Sequence, residues 1–170
     1  MRTRRYPRGT PPPPDRSPPL RTLTSRTVLA SVLLALLVSL VPASAQAQTP
    51  GRYQDQARSS TNAKRVDHDH ARLRKSVCVQ RFARRQATRM ANQERMFHQD
   101  LGRVMNRCNL TMAGENVAYG YATGRAVVRG WMNSPGHRAN ILEPRFRLLG
   151  MAARRSDDGQ WYAAQVFGRR

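Results

Sequence analysis

The sequence predicts an α+β domain behind an export signal, and three observations carry that reading. An almost wholly apolar run fills residues 28–41, after an arginine-rich start. Two amphipathic helical patterns follow it. Two strand-like runs then close the chain on either side of Asp157-Asp158-Gly159. Helices followed by strands, without regular βαβ alternation, place the domain in the α+β class. The 170 residues allow one domain and are too few for a barrel of eight βα units.

Residues 1–26 carry seven Arg and one Asp, and Pro42 and Ala43-Ser44-Ala45 follow the apolar run. A basic segment, an apolar core and an A-x-A site make a Sec-type signal peptide over residues 1–45. The run is too short for a confident membrane span. The protein is therefore expected to be secreted, with retention at the cell wall as a variant of that fate. Removing the seven Arg and one Asp from 30 basic and 10 acidic residues leaves 23 and 9, a net charge of +14 on 125 residues. Such a surface suits an anionic cell-wall or lipid partner. The basic residues are spread along the chain and no nucleic-acid motif is present, so a specific nucleic-acid partner is not expected. A monomer is the expected state.

Residues 46–58 read as a disordered leader, with the domain proper over 59–170. A surface helix over 52–65 is the competing reading, because Tyr53 and Ala57 stand four apart. Residues 66–74, with Asp67-His68-Asp69-His70, read as a solvated loop. Residues 76–94 form the best helix: Val79, Phe82, Ala83, Ala87, Met90 and Ala91 fall on one face, with Ser76 as N-cap. Residues 101–113 look irregular. A second helix over 125–133 carries Val127, Val128, Trp131 and Met132, and Ser134-Pro135-Gly136 stops it. Residues 137–142 allow one more turn. Strands over 146–153 and 161–167 make a hairpin.

Cys78 and Cys108 are the only cysteines. In an exported domain an even pair favours one disulfide, closing about 30 residues and contributing roughly 3 kcal/mol. Two thiols on a metal are the alternative, but the close C-x-x-C spacing of zinc sites is missing.

Three segments combine ionisable side chains with residues that shape the backbone. They are Phe97-His98, residues 114–120 (GENVAYG) and residues 131–142 (WMNSPGHRANIL). Two imidazoles and a carboxylate could hold a divalent ion or move protons. Equally, Glu115 could buttress buried amides, with the histidines bonded to it. Spacing alone leaves both readings open.

These motifs resemble the bacterial branch of the CAP superfamily, the SCP-like extracellular domain of cysteine-rich secretory proteins, antigen 5 and pathogenesis-related 1. The resemblance covers about residues 62–168. It implies a three-layer α-β-α sandwich around a small antiparallel sheet. It also implies a cleft lined by His98, Glu115, Asn116, Ser134 and His137. His98, Glu115 and His137 match three positions of a two-His, two-Glu set. Ser134 stands where the second Glu would follow a W-x-x pattern. Some eukaryotic members bind zinc or another divalent ion through the two histidines, so the resemblance makes His98 and His137 the candidate metal ligands and such an ion the candidate cofactor. Glu115, His137 and His98 are likewise the candidates for catalysis. A secreted binding module is the favoured function; a hydrolase using a metal or the His/Glu pair is the alternative. The motif G-x-S-x-G is missing and the cysteines are expected to be paired, so no Ser or Cys nucleophile is evident.

Overall fold

The computed structural model describes residues 48–170, and the signal peptide read at 1–45 lies outside them. The elements run α1 Pro50–Val66, β1 Arg74–Lys75, α2 Val77–Asn92, α3 Leu101–Cys108, β2 Met112–Tyr119, α4 Gly124–Met132, α5 Pro135–Leu142, β3 Leu148–Arg155 and β4 Trp161–Arg169. The four strands form one sheet in the order β1-β3-β4-β2. β4 pairs antiparallel with both β3 and β2, while the two-residue β1 runs parallel to β3. Helices cover both faces, which is the expected three-layer sandwich.

Strand alternation divides the core. Leu149, Met151 and Ala153 of β3 and Trp161, Ala163 and Phe167 of β4 face α1, α4 and α5. Ala152, Tyr162, Ala164 and Val166 face α2 and α3. Helix α2 presents the predicted stripe, and Ser76 caps it by accepting from Val79 N–H.

Helix α1 overturns the disordered leader over 46–58. Thr49 caps it, Pro50 sits in its first turn, and it buries Tyr53, Ala57, Thr61 and Arg65. Those residues are spaced by four and share one face. Two of the four are polar, so an apolar count registers only half of the stripe. Arg65 is fully buried. Its Nε donates to the Ala71 carbonyl at 2.8 Å, and its Nη1 donates to the carbonyls of Ile141 and Glu143 at 2.7 and 2.8 Å. Burial, then the charge of Arg147, lowers its pKa, while Glu143 opposes them. Asn62 pairs in both directions with Leu73, at 3.1 and 2.8 Å. Together Arg65 and Asn62 hold the loop that leads to β1.

Residues 101–113 are not irregular. They hold the two-turn helix α3, capped by Asp100 and ended by Asn109 in the left-handed region, and the start of β2. A helix this short offers too few residues for a periodic pattern. Cys78 and Cys108 are bonded, with Cα atoms 5.7 Å apart. The disulfide joins the first turn of α2 to the last residue of α3. Gly124, at the start of α4, meets α1 so closely that a Cβ there would lie 2.1 Å from the Tyr53 carbonyl oxygen.

Both edges of the sheet have side-chain partners. On β2 the carbonyls of Glu115 and Val117 accept from Asn140 Nδ2 at 3.0 Å and Trp131 Nε1 at 3.2 Å. On β3, beyond the two residues of β1, the Gln80 amide donates to Met151 O at 2.7 Å and accepts from Met151 N–H at 3.0 Å. Buried backbone groups need such partners.

Candidate functional site

Edge strand β2 positions the site. Glu115 and Val117 face the α2/α3 layer, whereas Gly114, Asn116 and Ala118 face α1, α4 and α5. The Glu115 side chain is 1% exposed and accepts three hydrogen bonds. Its Oε2 accepts from His98 Nδ1 at 2.8 Å and from Gln99 N–H at 3.1 Å, and its Oε1 accepts from Gln99 Nε2 at 2.5 Å. The carboxylate thereby fastens the segment before α3 to the sheet. With Nδ1 donating to Glu115, a neutral His98 keeps Nε2 as an acceptor. Its ring is 61% exposed.

Asn116 is fully buried. Its Nδ2 donates to the His137 carbonyl and to Gln165 Oε1, both at 3.1 Å, and its Oδ1 accepts from Asn140 Nδ2 at 2.9 Å. Gln165 Nε2 continues to Thr61 Oγ1 at 2.7 Å, and that hydroxyl donates to the Ala57 carbonyl at 2.8 Å. A chain of side chains thus runs from α5 through β2 and β4 to α1. Asn116 presents no surface to a ligand; it fixes the backbone at His137 from behind.

His137 and Ser134 line an open groove of about 540 Å³ beside the end of β2, together with Met96, Tyr119, Tyr121 and Trp131. Ser134 precedes α5 without a side-chain capping bond, so its hydroxyl is not spent on the helix. Burial lowers the His137 pKa, and the charge of nearby His98 lowers it further. Tyr119 and Tyr121 are exposed large rings beside these polar groups. His98 and Glu115 do not line this groove. The sequence-derived set therefore separates into His137 and Ser134 in the groove, a His98–Glu115 pair beside it, and Asn116 beneath it. Gln99, Asn140 and Gln165 complete the arrangement. Of these, Asn140 lay in one of the three segments above, and Gln99 stands directly after His98.

The donor set does not suit a divalent ion. Among the described residues, no three His, Cys, Asp or Glu side chains are grouped to hold one. Two imidazoles remain, and Glu115, the carboxylate nearest them, is occupied by hydrogen bonds. Catalytic zinc sites usually supply three protein ligands and leave one position open. The Asp67–His70 loop is equally unsuited. Asp67 accepts from Lys64 Nζ at 2.9 Å, and His68 Nδ1 is bonded to the Lys64 carbonyl at 2.9 Å.

The model of the cysteine-rich secretory protein family, CAP, matches residues 54–167. The chain belongs to this family. Among solved structures, this CAP domain is similar to an extracellular SCP-domain protein of Bacillus anthracis, with TM-score 0.62 and 27% identity over 71% of this chain and 41% of that one. A cysteine-rich secretory protein of Staphylococcus aureus shares the fold, with TM-score 0.63 and 18% identity over 72% of this chain and 40% of that one. The Bacillus subtilis protein YkwD is 44% identical over 57 residues, which are 34% of this chain and 21% of YkwD. The chain thus spans well under half the length of these relatives. The CAP match takes in the GENVAYG and WMNSPGHRANIL segments, which the fold brings together at β2 and at α4 and α5.

Proposed function

We propose that the domain is exported and binds a small, uncharged amphiphile in the groove along β2. The observation that carries this reading is the division of labour at the site. Glu115 and Asn116 are consumed in holding the backbone, whereas the adjoining groove offers Met96, Tyr119 and Tyr121 as an apolar wall and His137 and Ser134 as polar contacts. Its volume lies within the range of about 300–1,000 Å³ usual for small-molecule sites. Export is supported by the arginine-rich start, the apolar run over 28–41 and the A-x-A site, and by the disulfide, which suits an oxidising compartment. Retention at the cell wall through the basic surface belongs to the same reading.

Titration with octyl glucoside, followed by tryptophan fluorescence, tests the groove. Saturable binding in the parent protein, lost in the Tyr119→Ala/Tyr121→Ala variant, supports it. Binding that neither saturates nor responds to the substitution overturns it. Intact mass of the secreted protein tests export; the expected N-terminus is Gln46.

One observation favours hydrolysis instead. The His98 Nδ1–Glu115 Oε2 bond at 2.8 Å orients the ring with Nε2 toward solvent, as a general base requires. Turnover of p-nitrophenyl acetate that vanishes in His98→Ala, with the fold intact, would support this second reading. Turnover equal to that of free imidazole would end it.

A further inference from the structure

A separate cleft of about 410 Å³ lies between the C-terminal half of α2 and the start of α3. Arg84, Arg85 and Arg89 enter it from α2 and Arg103 from α3, above Phe82. Asp100 is the one acidic side chain in the lining, and its Oδ1 already accepts from Arg103 N–H as the cap of α3. Arg89 donates to Gln86 Oε1 and lies 5.5 Å over the Phe97 ring. Among the described residues, Arg84, Arg85 and Arg103 make no ion pair. Four guanidinium groups therefore share one concavity with a single carboxylate, and like charges gathered in one place repel one another.

An arginine-rich composition alone would scatter these groups over the surface. Here two helices, bonded to each other through Cys78–Cys108, bring them to one place. Guanidinium groups form a planar fork that matches phosphate oxygens two at a time. The cleft exceeds what a lone oxyanion fills, and the ring of Phe82 gives it an apolar element.

We propose that this α2–α3 cleft binds phosphate esters, with Arg84, Arg85 and Arg103 on the phosphate and the Phe82 side taking the attached carbon skeleton. The site is independent of the β2 groove and of whatever that groove holds. A soluble phosphate ester and a phospholipid headgroup share this chemistry.

The test uses the oxidised protein and two probes, glycerol 1-phosphate in solution and phosphatidylglycerol in phosphatidylcholine vesicles. Arg84→Gln/Arg103→Gln is compared with Arg125→Gln/Arg129→Gln, which removes the same charge from exposed positions on α4. The expected result is a loss of at least about tenfold in affinity in the cleft variant, from the charge-assisted bonds it removes, and under about twofold in the control. The altered side chains are exposed, so thermal unfolding should stay unchanged in both. Loss confined to glycerol 1-phosphate assigns a soluble ester, and loss confined to vesicles assigns a headgroup. Equal weakening in the two variants, or no binding of either probe by the parent protein, overturns the proposal.

Discussion

The two faces of the sheet are built on different principles. The face under α1, α4 and α5 surrounds a polar chain, Asn140–Asn116–Gln165–Thr61, with Trp131, Phe146, Phe167 and Trp161, and seats the buried Arg65 against three strong carbonyl contacts. The face under α2 and α3 is mainly small and aliphatic. Ala83, Ala87 and Ala91 share its core with Ala152 and Ala164, and a covalent bond joins its two helices. The first face is specified by directional bonds that tolerate few alternatives. The second rests mainly on close packing and a cross-link, with directional bonds at Gln80 to Met151 and at Glu115 to His98 and Gln99. The groove edged by His137 takes its geometry from the first, and the arginine cleft takes its walls from the second.

Arg65→Ala should break this contrast most severely. It strands the carbonyls of Ala71, Ile141 and Glu143 and is expected to cost about 4 kcal/mol, read by denaturant unfolding. A loss below about 1 kcal/mol would mean that water replaces the guanidinium freely. Next comes Cys78→Ala/Cys108→Ala, expected to cost about 3 kcal/mol through the 30-residue separation it no longer closes. Hydrogen exchange should rise first in α2 and α3 and leave α1 and α4 protected; uniform loss would show that the two faces unfold as one.

Asn116→Ala sharpens the contrast further. It strands Gln165 Oε1 and the His137 carbonyl and removes one of the two Asn140 donations, for about 2 kcal/mol, and should shift the NMR signals of His137 although Asn116 touches no solvent. His137 gives the smallest effect. Its folded-state pKa is lowered, so between that value and its unfolded value near 6.5 the unfolded chain binds the extra proton. Its contribution is therefore present above about pH 6.5 and declines as pH falls below it. His137→Gln should flatten that part of the stability profile, measured by thermal unfolding from pH 7.5 to 5.

Legibility in the sequence followed the same division. Helix α2 was plain because its buried face is apolar at regular spacing, and the α4 stripe and the closing hairpin were plain for the same reason. Helix α1 was obscured because Thr61 and Arg65 occupy buried positions, and a polar residue satisfied by a distant carbonyl leaves no local sign. Strand β2 was found as a motif rather than as a strand, since Glu115 and Asn116 interrupt its apolar alternation. The disulfide was readable from cysteine number and compartment. The roles of Glu115 and Asn116 depend on Gln99, Asn140 and Gln165, which are brought to them only by the register of β2 against β4 and by the packing of α5.

The sealing of the sheet edges bears on how this molecule meets others. An extended peptide, or a second copy of the chain, commonly docks by adding a strand to an exposed edge. At β2 the Asn140 amide and the Trp131 indole already occupy the acceptors such a strand would need, and at β3 Gln80 does so with its side-chain amide. The chain thereby avoids templated pairing through its sheet, and the recognition proposed above falls to side chains: the rings and imidazole of one groove, and the guanidinium groups of the other.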